Sequence, residues 1–242
     1  MGTDLLILCA TLPEIEGFIS LFPPDSKHLF PTGPIVFSGK KGNQRYDLLI
    51  SGPGVFNTAH ALTAYLEHSS CPMILQTGIA GVFKESGLSI GDLAIASTEE
   101  YIHTGVTRDS LVNEALPFDL IDSMPLTRKG RYDFDPDLVN KYYENLSRSV
   151  TDKPIQVAKG PFITVSAITA SHTLANRLYS AFSPLMEAME GAAAAHIAAL
   201  YKIPMIEIRT ASNFVGERDK GKWNINKAVQ HIAEFMIRAW VI

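Results

Sequence analysis

Two glutamates stand at positions where a carboxylate can take part in a reaction. Glu190 lies in the run Met-Glu-Gly-Ala-Ala-Ala-Ala-His (189–196), where small neighbours at helical spacing predict burial. Because burial of a carboxylate is unfavourable, a buried Glu190 indicates a functional role. A solvated glutamate in the first turn of a helix, favoured by the helix dipole, explains the same spacing equally well. Glu14 falls one turn into the first predicted helix and is either a general acid or simply an N-terminal helix charge, and Glu16 competes for the same role.

The histidines and cysteines do not form a metal-binding pattern. The seven histidines are scattered, no His-Glu-x-x-His motif occurs, and His196 is more typical of a core histidine than of a ligand. Cys9 and Cys71 have no Cys-x-x-Cys spacing and are expected to be buried free thiols. The sequence therefore predicts no metal site and no cofactor.

Small and polar residues gather at the ends of four predicted strands. Because ligands in α/β folds collect where strands end in tight turns, we expect a site formed by the segments 10–14, 51–54, 77–81 and 211–213. Neither glycine run has the spacing of a Walker loop or of a convincing dinucleotide fingerprint. The charged run 217–222 follows the last segment and is either a solvated loop or, by its proximity, a lid.

The elements that must position these segments alternate between strands and helices. Apolar runs, helical periods and caps predict a strand at 5–10 and a helix after Pro13, a hairpin of strands 35–38 and 46–51, a helix at 55–66, strands at 73–76 and 92–97, a long functional loop at 101–132, a helix at 135–149, short strands near Gln156 and Phe162, a helix at 171–182, an Ala-rich helix at 187–201, a strand at 204–210 and a last helix at 224–240. This order predicts a single three-layer α/β domain over residues 1–242 with a mixed or largely parallel central sheet.

The composition limits the classes of partner. Charged residues make up 19% of the chain and the net charge is -4, which argues against a nucleic-acid groove or an anionic membrane surface. No apolar run is long enough to span a membrane, and the start of the chain lacks the pattern of a signal peptide, so we expect a cytoplasmic protein. Small neutral or anionic ligands remain possible.

Four motifs, taken in chain order, resemble the nucleoside phosphorylase and nucleosidase superfamily, and within it the methylthioadenosine/S-adenosylhomocysteine nucleosidases. They are Thr-Gly-Ile-Ala-Gly at 77–81, Gly-Asp at 91–92 with its following strand, Met-Glu-Gly-Ala at 189–192 and Arg-Thr-Ala-Ser-Asn at 209–213. The resemblance covers nearly the whole chain. It implies an α/β/α fold with a mixed sheet, a small-molecule purine nucleoside as substrate, and a homo-oligomer of at least two copies.

The resemblance also implies roles for individual residues. Glu14 matches the glutamate that positions the attacking water, Met189 and Glu190 match the pair that binds the ribose hydroxyls, and Asn213 stands where an aspartate protonates N7 of adenine. Further matched substrate-binding positions are Gly78, Ile79, Ile168 on the base, Ser212 and Trp223. Trp223 falls where nucleosidases place an aromatic residue against the 5' group.

Asn213 is the informative departure from that pattern. An amide cannot donate a proton to N7 as an acid would, but it can give its NH2 to a 6-oxo group and accept from a protonated N7. The 6-oxopurine phosphorylases of the superfamily carry the same asparagine. Hypoxanthine or guanine therefore fits this position better than adenine.

Water is favoured over phosphate as the nucleophile. A phosphate site needs arginine side chains together with Gly-rich backbone and a hydroxyl. The loop 9–14 has no basic residue, Ile79 stands where a hydroxyl residue is usual in the phosphorylases, and Arg45 is expected at the surface of the hairpin.

A futalosine hydrolase of the menaquinone pathway matches these expectations, and the pattern of Ser212-Asn213 followed by Val215, Arg218-Asp219 and Trp223 resembles that group. Futalosine carries an aryl carboxylate on its 5' side, which Trp223 and Arg218 can meet, with Lys220 and Lys222 as rivals to Arg218. The alternatives are a phosphorylase for inosine or guanosine, an adenine nucleosidase of the methylthioadenosine type, and a non-catalytic nucleoside-binding protein.

Overall fold

An eleven-stranded mixed sheet runs through the residues that the computed structural model describes, namely 3–107, 113–121 and 127–238. The strands are β1 Leu5–Cys9, β2 Ser26–Leu29, β3 Ile35–Lys41, β4 Gln44–Ile50, β5 Ile74–Val82, β6 Leu93–Tyr101, β7 Thr127–Arg128, β8 Arg131–Asp133, β9 Val157–Thr164, β10 Met186–Ala188 and β11 Met205–Phe214. The helices are α1 Leu12–Leu21, α2 Val55–Leu66, α3 Pro136–Ser149, α4 His172–Phe182, α5 Gly191–Tyr201 and α6 Ile225–Arg238, with short 3₁₀ turns at Lys84–Ser86 and Lys220–Lys222.

Five strands of the sheet close into a ring. β5 pairs with β10, β10 with β9 and β9 with β6, while β11 pairs with both β6 and β5 and so completes the circle. Bulges between Ala96 and Thr98 on β6 and between Ala211 and Asn213 on β11 bend these strands, as closure of a sheet requires. On the other side of β5 the sheet continues in the order β1, β4, β3, β2.

The predicted α/β class with a central mixed sheet is confirmed, and helices cover the sheet. All five residues of β1 are buried, because this strand lies between parallel neighbours on both edges and is covered on both faces. α1 packs against α6, and α2 packs against α5. None of the helices in the described part of the chain is both long and apolar enough to cross a membrane.

Helices with clear caps begin where the sequence predicts. The Asp135 carboxylate accepts hydrogen bonds from the first turn of α3, and Pro136 occupies its first position. The Ser171 hydroxyl caps α4 by accepting from Leu174 N at 3.2 Å. The helix at 55–66 is confirmed with both bounds. The hairpin is also confirmed, although its strands reach closer to the turn at Gly42-Asn43.

The predicted helix at 187–201 is wrong at its start. Met186–Ala188 form β10, because their backbone pairs with β5 on one side and β9 on the other, and α5 begins only at Gly191. Glu190 is therefore the residue that precedes the helix, not a member of its first turn.

Several predicted strands are longer than expected, and β6 runs four residues further, to Tyr101. β5 runs through Gly78 to Val82, and β11 runs through Asn213 to Phe214, since the two pair with each other along this whole stretch. The segments 77–81 and 211–213 thus lie within strands instead of at their exits. The two short strands expected near Gln156 and Phe162 are a single strand, β9.

The long loop predicted at 101–132 is partly structured. A bridge joins Val106 to Glu114, and β7 and β8 form a small hairpin on the edge of β6. Residues 108–112 and 122–126 of this loop lie outside the described residues, as do residues 239–240 of the last helix predicted at 224–240.

Candidate active site

A cleft of about 380 Å³ lies where the ends of β1 and β10 meet the middle of β5 and the end of β11. Among the predicted site residues, those that line it are Glu14, Ile79, Ile168, Met189, Glu190, Ser212, Asn213 and Trp223. Gly78 and Arg218 are not among the residues that line this cleft. The structure therefore brings eight of the ten predicted residues to one place, from segments more than 200 residues apart in the chain.

Glu14 is held in a fixed position beneath the cleft. One oxygen, Oε2, accepts from Thr11 N at 2.9 Å and Thr11 Oγ1 at 2.7 Å, and the other, Oε1, accepts from Ile79 N at 3.0 Å. The side chain is buried, so the alternative of a solvated helix charge does not hold. Glu16, its rival, is exposed. Glu14 is therefore an oriented carboxylate that can accept one more hydrogen bond.

Gly78 lies between Glu14 and an arginine. Its backbone has a φ of +154°, and a Cβ placed there would lie 2.7 Å from Arg209 Nη1 and 2.8 Å from Glu14 Oε1. A side chain at this position would push these two charged groups out of place. Gly78 therefore contributes to the site by leaving room and not by lining it.

Glu190 joins three elements at the cleft. It precedes α5, and its Oε1 accepts from Gly54 N at the start of α2 at 2.9 Å. Its Oε2 accepts from Arg209 Nη2 at 3.2 Å. Glu190 is buried, and Met189 beside it lines the cleft as well. This carboxylate is anchored on its far side and can still face a ligand.

Arg209 lies behind the cleft, and the sequence motif 209–213 alone did not single it out. Its side chain is 1% exposed, and its Nε donates to Glu207 Oε1 at 2.8 Å on the same strand. Burial lowers the pKa of Arg209, but the carboxylates of Glu207, Glu190 and Glu14 outweigh that effect and raise it above its ordinary value. The alternation of charged residues at 207 and 209 with apolar residues at 205, 206 and 208 is the signal that points to it.

Asn213 reaches the cleft from β11 with its amide oriented by neighbours. Ser212 Oγ donates to Asn213 Oδ1 at 2.8 Å, and Asn213 Nδ2 donates to Phe214 O at 3.1 Å. An amide has two N–H donors and an oxygen with two lone pairs. These contacts use one of each, so Asn213 can still donate once and accept once toward a ligand.

A third carboxylate, Glu187, lines the cleft and was missed by our sequence analysis, which placed it in a helix. It lies on β10, is 7% exposed, and accepts hydrogen bonds from Thr169 N at 3.1 Å and from the Thr169 hydroxyl. Burial raises the pKa of Glu187, while the hydrogen bonds from Thr169 oppose the shift.

The segment 217–223 forms one rim of the cleft. Trp223 is half-buried and donates from Nε1 to Glu217 O at 3.1 Å, and the Arg218 guanidinium stacks 5.2 Å from the centre of the Trp223 ring. Lys222 pairs with Glu217 at 2.7 Å, and this contact lowers the pKa of Glu217 to about 2. Ile168 stands half-exposed at the rim.

The cleft has an acidic lining. Three carboxylates, those of Glu14, Glu187 and Glu190, line it, and neither lysine nor arginine is among the described residues that do so.

Arg45 pairs with Asp4 at 3.2 Å at the start of β1, which confirms that it is outside the cleft. Within the described residues there is no cluster of three or more histidine, cysteine, aspartate or glutamate side chains suited to a metal ion. Most of the other lining residues are apolar, so the cleft suits a ligand that combines apolar surface with hydrogen-bond donors.

Comparison with known proteins identifies one family. Residues 4–240 match the sequence profile described as the phosphorylase superfamily. A 5'-methylthioadenosine/S-adenosylhomocysteine nucleosidase of Mycobacterium bovis is 27% identical over 244 residues, 96% of this chain and 93% of that protein. A futalosine hydrolase of Thermus thermophilus is 26% identical over 211 residues, 86% of each chain.

Solved structures show the same fold. The 5'-methylthioadenosine/S-adenosylhomocysteine nucleosidase of Helicobacter pylori has a TM-score of 0.81 at 19% identity, covering 98% of this chain and 97% of that one. The futalosine hydrolase of Helicobacter pylori has a TM-score of 0.80 at 20% identity, covering 97% of this chain and 95% of that one. The two activities named for these proteins share one architecture, so the choice between them depends on the residues of the cleft.

Proposed function

Because this chain belongs to the phosphorylase superfamily, we propose that it hydrolyses the N-ribosidic bond of a 6-oxopurine nucleoside, and that futalosine is its substrate. The relatives named above are nucleosidases and a futalosine hydrolase, which supports hydrolysis of such a bond. The futalosine specificity rests on residues of the cleft.

The acidic lining of the cleft supports water instead of phosphate as the nucleophile. A phosphate dianion would lie among three carboxylates with no lysine or arginine facing it from the described lining. Arg209 lies behind Glu190, and its charge is already balanced by Glu190 and Glu207. Repulsion therefore disfavours phosphate, whereas water has the two protons that oriented carboxylates can accept.

Glu14 and Glu190 perform the hydrolysis in this proposal. As the bond between base and ribose lengthens, positive charge develops on the sugar, and the carboxylate of Glu190 stabilises it while accepting from the ribose hydroxyls beside Met189. Glu14, fixed by Thr11 and Ile79, orients the water and takes its proton. Both carboxylates are held in place before the substrate binds, so little reorganisation is needed.

Asn213 supports a 6-oxopurine as the leaving base. Its remaining N–H donates to O6, and its remaining lone pair accepts from N7–H after the departing base has taken a proton from solvent, while Ser212 and Phe214 fix the orientation of the amide. Ile168 and the neighbouring cleft residue Val165 pack on the base. An adenine base would present an amino group to the Asn213 N–H, and two donors would then face each other.

The rim segment supports a substrate with an extended 5' substituent. Trp223 offers an apolar wall, and Arg218, stacked on that ring, offers a cation for a carboxylate at the far end of the substituent. Of its two rivals, Lys222 is already paired with Glu217. This arrangement fits futalosine better than a nucleoside with a short 5' group.

The test measures release of free hypoxanthine from futalosine and from inosine, each with and without phosphate. Release from futalosine that is independent of phosphate, with little release from inosine, is the expected result. Release from inosine only with phosphate would mean a phosphorylase and would contradict the proposal. A Glu14→Gln variant serves as the control. In a hydrolase this substitution should abolish release of the base, whereas a protein that only binds nucleosides releases no base with or without Glu14.

A nucleosidase for adenine nucleosides is the second candidate. It is favoured by the similarity to the Mycobacterium bovis enzyme, which extends over 96% of this chain. The same assay with 5'-methylthioadenosine decides between the two. Release of adenine faster than release of hypoxanthine from futalosine would replace our proposal with this one.

A further inference from the structure

A chain of buried hydrogen bonds runs behind the cleft, and its two ends lie on either side of Gly191. From one side, Ala192 N donates to Thr164 Oγ1 at 2.8 Å, and the Thr164 hydroxyl donates to Glu99 Oε2 at 2.8 Å. These contacts lead from the first turn of α5, through the end of β9, to the carboxyl group of Glu99 on β6.

The other half of this chain of contacts starts from Glu190, the residue that precedes Gly191. Arg209 Nη2 donates to Glu190 Oε2 at 3.2 Å, and Arg209 Nε donates to Glu207 Oε1 at 2.8 Å. This half leads from the cleft to the carboxylate of Glu207 on β11. Every side chain in the two halves is buried.

The two halves meet at two carboxyl oxygens. Glu99 Oε1 and Glu207 Oε2 are buried, and neither has a hydrogen-bond partner among the other groups in the described part of the chain. Both oxygens point at Gly191, because a Cβ added to this glycine would collide with each of them. Repulsion disfavours two ionised carboxylates in such an arrangement, whereas one proton between them gives both oxygens a partner.

Glu99 is the member of this pair whose protonated form is favoured. Glu207 is paired with the Arg209 guanidinium, which stabilises its ionised form, whereas Glu99 accepts only from the neutral hydroxyl of Thr164. Burial raises the pKa of Glu99, and the negative charge of Glu207 raises it further. A neutral Glu99 can donate to Glu207, and the hydrogen bonds then form a closed ring with the backbone of residues 190–192.

The ring holds Arg209 from behind. The long side chain of an arginine keeps a single orientation only where its N–H donors are engaged, and Glu207 engages Nε while Glu190 engages Nη2. A fixed Glu207 therefore fixes the guanidinium that orients Glu190. Gly191 leaves the space in which the carboxyl groups of Glu99 and Glu207 meet.

We propose that Glu99 is a positioning residue, whose neutral carboxyl group donates to Glu207. Through Arg209, this contact keeps the Glu190 carboxylate in place for the ribose hydroxyls. The inference rests on the proposed function, since it is there that Glu190 meets the ribose. The competing view is that the carboxyl pair only fills the core between β6, β11 and α5.

The experiment compares Glu99→Gln with Glu99→Met. Glutamine keeps both contacts of the ring, because its NH2 donates to Glu207 and its oxygen accepts from Thr164. Methionine has a similar length and no hydrogen-bond donor. Ile95→Val, a buried position on the same strand outside the ring, is the control for a small loss of core packing.

Two ligands separate recognition of the ribose from recognition of the base. In 9-deazainosine a C–C bond joins the base to the ribose, so this nucleoside cannot be hydrolysed, and free hypoxanthine has no ribose. We measure the affinity of each ligand by calorimetry, and kcat/KM for futalosine. All measurements are made at a temperature at which circular dichroism shows the variants to be folded.

The expected result is a loss confined to the ligand that contains ribose. Glu99→Met should bind 9-deazainosine roughly 10- to 100-fold more weakly, as for loss of a hydrogen bond to a charged group, and should bind hypoxanthine as the natural protein does. Its kcat/KM for futalosine should fall by about 10²-fold, because the Glu190 carboxylate is displaced. Glu99→Gln and Ile95→Val should retain all three values. Equal losses for both ligands in Glu99→Met, or the same behaviour of Glu99→Gln and Glu99→Met, would overturn the inference.

A second pair of variants tests the same ring if Glu99→Met does not fold. Thr164→Val removes the hydroxyl that joins Ala192 N to Glu99, whereas Thr164→Ser keeps it. Thr164→Val should weaken the binding of 9-deazainosine but not of hypoxanthine, and Thr164→Ser should weaken neither. A loss in both variants, or in neither, would overturn the inference.

The binding measurements also separate this inference from the proposed function. If the natural protein binds 9-deazainosine but releases no base from any nucleoside, the hydrolase proposal fails, and the affinities of the variants still decide the role of Glu99. If it hydrolyses futalosine and Glu99→Met keeps its affinity for 9-deazainosine, only the inference fails. Failure of the natural protein to bind 9-deazainosine would overturn both.

Discussion

Arg209 Nη2 lies 3.2 Å from Glu190 Oε2, and both side chains are buried. The same guanidinium holds Glu207 at 2.8 Å, so one cation balances two carboxylates at the back of the cleft. Such a pair is expensive to bury, and its removal leaves an unpaired charge. The position of Glu190 therefore depends on Arg209.

Replacing this arginine should damage both stability and activity. Arg209→Leu leaves Glu190 and Glu207 without their partner, and we expect the free energy of unfolding to fall by about 3–5 kcal/mol. Chemical denaturation measures this change. Arg45→Leu is the control, because the partly exposed pair of Arg45 with Asp4 contributes at most about 1 kcal/mol. Equal losses in the two variants would contradict the buried role of Arg209.

The fold was predictable where the signals were local. Asp135 with Pro136, and Ser171, mark helix starts through caps that satisfy backbone N–H groups, and these starts were confirmed. β10 was not predictable, because its three residues have helix-favouring types and become a strand only by pairing with β5 and β9. Likewise, glycines at 78 and 81 suggest a turn until the neighbouring strand β11 is present.

A second prediction concerns the buried carboxyl pair behind Arg209. Glu99 Oε1 and Glu207 Oε2 face each other beside Gly191, and neither oxygen has a hydrogen-bond partner among the other described groups. Burial raises the pKa of Glu99 well above its ordinary value, and the negative charge of Glu207 raises it further. Because Glu207 is paired with Arg209, Glu99 is the member of the pair whose protonated form is favoured.

The stability of the protein should consequently fall as pH rises. An unfolded glutamate loses its proton near about pH 4.3, whereas folded Glu99 keeps its proton to a higher pH. Its contribution to stability is therefore complete below the unfolded pKa and is lost as pH rises through the folded pKa. Unfolding free energies measured across this range should become less pH-dependent in Glu99→Gln, by up to about 1.4 kcal/mol per pH unit. The exposed Glu16→Gln should leave the slope unchanged, and an unaltered slope in Glu99→Gln would refute the assignment.

The site was predictable only in part. Glu14, Glu190 and Asn213 were identified by their setting and by resemblance, and the structure brings all three to one cleft. The charged residues at 207 and 209 indicate a buried ion pair, but the sequence does not show that Arg209 also reaches Glu190. That contact depends on how segments distant in the chain pack together. Glu187 was hidden by the wrong assignment of its segment to a helix.

A third prediction tests the choice of base at Asn213. In Asn213→Asp, a carboxylate would face O6 of a 6-oxopurine and repel it, but would accept from the amino group of adenine. We expect kcat/KM for the hypoxanthine nucleoside to fall on the order of 10²-fold and that for the adenine nucleoside to rise. Asn226→Asp on the exposed side of α6 controls for the added charge. If both nucleosides respond alike to Asn213→Asp, this residue does not select the base.

The last prediction separates two consequences of adding a side chain to a glycine. At Gly78, a Cβ would be strained by the φ of +154° and would also press on Glu14 and Arg209. At Gly87 the φ of +78° is also positive, so an added Cβ is strained there as well, but nothing lies within 4 Å of the added atom. We expect both Gly78→Ala and Gly87→Ala to lose about 1–2 kcal/mol of stability through backbone strain.

Only Gly78→Ala should also lose activity, by about 10²-fold, because a small displacement of the Glu14 carboxylate from its reacting position lowers the rate strongly. Thermal unfolding and initial rates on the same two preparations measure the two effects. Since both variants carry a Cβ at a positive φ, a loss of rate confined to Gly78→Ala assigns the effect to the displaced carboxylate and guanidinium. Equal rates in the two variants would mean that the close approach of Glu14 and Arg209 across Gly78 is not needed for the reaction.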